Sequence, residues 1–117
     1  MRTQPLILAL VVLGLSGCAN DPAPNEQLRL SEQALEQAKA VGATDQVEAL
    51  KLAEDKLARA KANMTRASYR EARMRAEQAE LDARLAEAQV LTSKSEEQLE
   101  LLQSRVTRLR KQLEVQP

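Results

Sequence analysis

The sequence predicts an all-α protein: a short helix, a turn, then one long heptad-patterned helix, arranged as a helical hairpin or coiled coil. Three observations carry this. The chain is rich in Ala, Leu, Glu, Gln, Lys and Arg, with 3 Gly in 117 residues, which is the composition of long helices. It has no Phe or Trp, and Tyr69 is its one aromatic residue, so the material for a conventional large-residue core is missing. From Leu50 to Leu113, apolar residues recur at a 3-4 spacing whose register never slips.

The chain opens with Met1 and Arg2, and an apolar run follows from Leu6 to Leu13. That run has the length of a secretory h-region and falls short of the roughly 20 apolar residues a bilayer span needs. Small residues come next, and Leu15-Ser16-Gly17-Cys18 resembles the bacterial lipobox. The resemblance implies that residues 1–17 are a lipoprotein signal peptide. Leu15, Ser16 and Gly17 would be recognised by the signal peptidase. The Cys18 thiol would carry a diacylglycerol at an acylated new amino terminus. Cys18 is the only cysteine, and the chain has no histidine, so neither an internal disulfide nor a thiol–imidazole pair competes with this reading. An ordinary signal peptide with an incidental cysteine is the alternative. Each buried acyl CH₂ contributes about 0.8 kcal/mol, and two or more chains anchor stably. Ala19 lacks the Asp that retains sorted lipoproteins at the inner membrane. The expected location is therefore the bacterial outer membrane, periplasmic face.

Residues 18–25 follow as the acylated cysteine and a flexible linker, with two prolines among small polar residues. Residues 26–42 form the short helix and its turn. Asn25 is its expected N-cap, and Leu28, Leu35, Ala38 and Val41 its apolar face. Gly42 suits the left-handed position that ends helices. Asp45 followed by Glu48 resembles a capping box that would start the next helix. The alternative, one helix running through Gly42, costs about 1 kcal/mol; the turn is favoured.

Residues 43–117 read as the long coiled-coil-like helix. Fifteen of nineteen seam positions between 50 and 113 are apolar, and no Pro or Gly interrupts residues 43–116. A continuous helix over 45–114 would be ~105 Å long. The candidate helix-interface residues are Leu50, Leu57, Met64, Met74, Leu81, Leu85, Leu99, Leu102, Val106, Leu109 and Leu113. Pairs at i,i+4 (Asp55/Arg59, Glu71/Arg75, Glu80/Arg84) add modest support. Thr92 and Ser95 weaken the seam, and a break there would fold the last residues back. Their helix penalties are only a few tenths of a kcal/mol each, so the helix is expected to continue.

With Leu50 at heptad position a, the flanking pairs of a parallel in-register dimer are Lys56/Lys61, Arg70/Arg75, Glu77/Asp82 and Arg105/Arg110. All carry like charges, which disfavours that pairing. An antiparallel, intramolecular or foreign helix stays open. A second stripe runs through Ala58, Ala62, Thr65, Tyr69, Ala72, Ala76, Ala79, Ala83, Ala86 and Val90. It reads either as a second helix-binding face or as alanine serving only as a good helix former. The basic residues Lys56, Arg59, Arg66, Arg70 and Arg73, and the cluster Arg105, Arg108, Arg110 and Lys111, read as solvated faces.

Lys plus Arg equals Asp plus Glu, 17 each, so no charge bias points to nucleic acid. Phosphate-cradling Gly loops, HExxH and GxSxG are absent from the sequence. Without histidine or a free thiol, zinc is not expected, and no catalytic residue, metal or cofactor is expected beyond the covalent lipid on Cys18.

Residues 38–89 resemble the bacterial envelope proteins grouped as domain of unknown function 4398. The resemblance rests on the Gly42-Ala43 turn, on Lys56-Leu57, and on Tyr69 followed by Ala72, Ala76, Ala79, Asp82, Ala83, Leu85 and Ala86. It implies no catalytic residues. The anchor and helix also resemble small murein lipoproteins, which end in a lysine joined to peptidoglycan; this chain ends in Gln116-Pro117. The expected function is an outer-membrane-anchored periplasmic lipoprotein with a non-enzymatic structural or scaffolding role. The alternative is an adaptor that binds an envelope complex or peptidoglycan through its helical seam. The expected partners are the membrane and a helix of another envelope protein or of a second copy.

Overall fold

The computed structural model describes residues 21–115, so Leu15, Ser16, Gly17 and Cys18 lie outside the described residues. Three helices follow one another: α1 (Asn25–Ala40), α2 (Glu48–Thr65) and α3 (Tyr69–Glu114). They run up, down and up. Ion pairs join Glu32 to Lys61 and Lys39 to Glu54 in antiparallel register. Ala34 and Ala38 of α1 pack at the levels of Ala83 and Ala86, so α1 is parallel to α3.

Helix α1 begins one residue earlier than expected. Asn25 is its first residue, Pro24 takes the N-cap position, and no side chain caps it. The buried face is Ser31, Ala34 and Ala38, while Leu28 and Leu35 are half-buried on its flanks. The turn forms as expected. Gly42 has φ +105°. Its N–H donates to the Lys39 carbonyl (2.9 Å) and the Ala43 N–H to the Ala38 carbonyl (2.9 Å), the paired bonds of a Schellman ending. Asp45 does not cap α2. That helix starts at Glu48 behind Val47, without a side-chain cap.

The expectation of one long helix over 43–117 is overturned. The chain reverses at Arg66, Ala67 and Ser68. Ala67 has φ +55°, its N–H donates to the Met64 carbonyl (3.1 Å), and the Ser68 N–H donates to the Asn63 carbonyl (3.0 Å). This is a second Schellman ending with alanine in the left-handed position. The physical reason is burial. A straight rod would leave both apolar stripes in water, whereas a reversal lets each cover the other. Helix α2 buries Leu50, Ala53, Leu57 and Ala60 of the first stripe. Helix α3 buries Ala72, Ala76, Ala79, Ala83 and Ala86 of the second. The alanine ladder is thus a helix-packing face over the bundle. No break occurs at 91–98, and α3 runs through Thr92 and Ser95 as expected.

Candidate docking surface

The bundle is narrow because its contacts are small. Among the described residues, thirteen apolar residues form the buried core, and eleven of them are alanine; Leu50 and Leu57 are the others. Ser31 is the buried polar residue, and its hydroxyl lies 2.7 Å from the Ala76 carbonyl oxygen and 2.7 Å from that of Gln27. Small residues let helix backbones approach, and a hydroxyl fits there only with an acceptor in reach.

Charged side chains close the seams between helices. Lys56 Nζ is 2.5 Å from Asp82 Oδ2, with the two side chains 25% and 19% exposed. Glu80 accepts from Arg84 (2.6 Å) and from Gln27 Nε2 of α1 (2.7 Å). These bonds, that from Arg84 foremost, hold the Glu80 carboxyl below its ordinary pKa. The Arg29 hydrogen bond lowers the Glu26 carboxyl likewise. Asp55 and Arg59 pair as expected at 2.9 Å, while Arg75 donates to Gln78 (3.3 Å). Lys56 and Arg59, two of the basic residues read as a solvated face, are engaged by carboxylates, and the corner at 66–68 separates them from Arg70 and Arg73.

The candidate interface residues separate into two groups. Leu50 and Leu57 are buried between helices and Met64 is half-buried, so they serve the internal core. Met74, Leu81 and Leu85 lie on α3 away from its alanine ladder and are exposed. Beyond the bundle, every residue from Leu91 to Val115 is exposed. Lys94 makes the farthest link back: its ammonium donates to the Val41 carbonyl at 2.6 Å, above the Gly42 turn. The helix then continues for about 20 residues, or ~30 Å, unaccompanied. Leu99, Leu102, Val106, Leu109 and Leu113 lie along one side of this tail at 46–73% exposure.

A shallow depression lined by Glu100, Gln103, Ser104, Thr107, Arg108 and Lys111 runs along this single helix. It is the flank of a rod and encloses nothing. Among the described residues, no group of three His, Cys, Asp or Glu is placed to hold a metal ion, and no helix is long and apolar enough to cross a membrane. What the arrangement offers chemically is a preformed helix with an open aliphatic seam. Sequence reasoning overlooked Ser31 and Lys94. It also passed over Ser68 followed by Glu71, a helix-start pattern at the corner itself.

The sequence profile of the family described as Domain of unknown function (DUF4398) matches residues 26–102. The crystal structure of a DUF4398 family protein from Pseudomonas aeruginosa PAO1 is similar at 67% sequence identity and a TM-score of 0.77. The similarity covers 79% of this chain and 96% of that one. A search of curated proteins finds no match to this sequence.

Proposed function

This chain belongs to the DUF4398 family, and we propose that it is a non-enzymatic structural lipoprotein of the cell envelope. It would be tethered by acylated Cys18 to the periplasmic face of the bacterial outer membrane, where it presents a helical seam for assembly. The observation that carries this reading is the aliphatic stripe from Leu99 to Leu113, left open on a helix that projects beyond its own bundle. Stripes of this kind are where helices associate. The lipobox at Leu15 to Cys18 supplies the tether. Asn25 and the 66–68 corner share one end of the bundle, and the tail leaves from the other, so the seam begins at the end of the bundle opposite the one that follows the linker. The reading assigns no catalytic residue and no cofactor beyond that lipid.

The test uses the full-length chain in a diderm bacterium. A clickable fatty acid should label the protein, and Cys18→Ala should abolish both the label and sedimentation with membranes. A photo-crosslinking amino acid at Leu102 should give a discrete adduct in intact cells, and one at exposed Ala58 should not. An unlabelled protein, or a Leu102 position that captures nothing, sinks the scaffold reading. An adduct to a single foreign envelope protein, or to peptidoglycan, would move the role to an adaptor.

A further inference from the structure

We infer that the α3 tail pairs with the tail of a second copy of this chain in antiparallel orientation, each seam covering the other. The inference deepens the scaffold reading and rests on it for the setting in the envelope.

Two observations carry it. Among the described residues, the tail touches no other element beyond Lys94, and a lone helix of ~20 residues is marginal in water. Its charge is also divided along its length. Glu96, Glu97 and Glu100 occupy the first half; Arg105, Arg108, Arg110 and Lys111 occupy the second, with Glu114 near the end. A parallel second copy would set acid against acid and base against base, with Arg105 flanking Arg110. An antiparallel copy sets the acidic half of each tail against the basic half of the other.

The heptads allow registers seven residues apart, and the pairing of Glu96 with Arg110 selects one of them. Leu99, Val106 and Leu113 occupy one class of seam position, and Leu102 and Leu109 the other. Antiparallel coils stack one class on the other. Leu99 then meets Leu109 of the second copy and Leu102 meets Val106, so the central layers are wholly aliphatic. In this register Glu96 flanks Arg110 of the second copy, twice by symmetry, and Gln98 flanks Gln112. Gln103 and Arg105 each meet their own symmetry mate, and Arg105 is the one like-charge contact among these flanking pairs. Sliding the copies until the outer stripes of α3 overlap fully would set Arg84 beside Arg105 and Arg75 beside Arg110 of the second copy. The tail register avoids those contacts and holds the two bundles at opposite ends of one rod, their Tyr69 residues ~105 Å apart.

The test uses residues 19–117, which contain all three helices and every contact described; the solved relative is similarly covered by 79% of this chain. Sedimentation equilibrium should show a monomer–dimer exchange. Arg110→Glu should weaken the dimer about 3- to 30-fold, because it opposes Glu96; in a parallel dimer the same change would relieve Arg105 and strengthen association. Adding Glu96→Arg to Arg110→Glu should restore the affinity. A short bismaleimide should join a Gln98→Cys copy to a Gln112→Cys copy, and neither to itself. Leu102→Gln should yield monomers with unchanged bundle melting.

A wild-type monomer through the millimolar range overturns the inference. So does crosslinking of Gln98→Cys to Gln103→Cys, the parallel neighbours. If copy pairing fails while Leu102 captures a foreign envelope protein in cells, the pairing falls and the lipid-anchored envelope reading survives in its adaptor form. If Cys18 carries no lipid while the dimer forms, the pairing survives alone.

Discussion

The Ser31 hydroxyl is held 2.7 Å from the Ala76 carbonyl oxygen, at a point where Ser31 is 1% exposed. This one atom marks how closely α1 approaches α3. Ser31→Ala removes a donor but strands nothing, because the carbonyl keeps its helical partner. The expected loss is about 0.5–1.5 kcal/mol. Ser31→Leu forces bulk between two backbones and should cost about 1–3 kcal/mol or more. Urea unfolding of both variants checks the order, and a Leu variant as stable as the Ala variant would contradict the close approach.

The two corners make opposite predictions for glycine. Ala67 holds φ +55°, a conformation that costs an L-residue roughly 1–2 kcal/mol. Ala67→Gly should therefore raise stability by about 1 kcal/mol, and Gly42→Ala should lower it by about as much. A Cβ at Gly42 would meet Lys94 Nζ at 3.5 Å and Val90 Cγ1 at 3.9 Å, ordinary contacts, so the loss there is backbone strain. Thermal melts of both variants are the measurement.

Two leucines on one heptad seam should behave differently. Leu50 is 1% exposed and Leu102 is 54% exposed. Leu50→Ala should cost about 2–5 kcal/mol by transfer and cavity effects. Leu102→Ala should change the bundle's unfolding free energy by less than ~0.5 kcal/mol, measured on dilute protein where tails do not meet.

Glu80 should make the bundle acid-sensitive. Its folded pKa lies below the ordinary value of 4.5 because Arg84 and Gln27 bond its carboxylate. The unfolded chain therefore binds that proton first. The contribution is complete above about pH 4.5 and disappears as pH falls through the lower folded value. Glu80→Gln should flatten the pH dependence of Tm below 4.5 and leave neutral stability only slightly reduced. An unchanged acid slope would remove Glu80 from this account.

The helical class, the Gly42 turn and the passage through Thr92 and Ser95 were legible because composition, a left-handed glycine and small propensity penalties each point one way. The 66–68 corner was not. Alanine holds the left-handed position there, and the first stripe keeps its 3-4 count across the reversal from Met64 to Met74. A periodicity count registers phase along the chain and is blind to a change of direction. The second stripe held the missing information: Tyr69, Ala72 and Ala76 begin a new buried face where the first stripe meets Glu71 and Gln78. The exposed tail was legible as a seam but not as a free one, because what leaves it open is the limited length of α1 and α2.

Among the described residues, the odd number of helices places Asn25 and Glu114 at opposite poles. A force applied between those poles acts along the helix axes, and α1 must slide past α3 as a whole before either can separate. The alanine ladder, Ser31 and the bond from Lys94 to Val41 would then share the load in shear, where a hairpin pulled from one pole would open rung by rung. The bundle is arranged as a mechanical splice, strongest along the line joining Asn25 and Glu114.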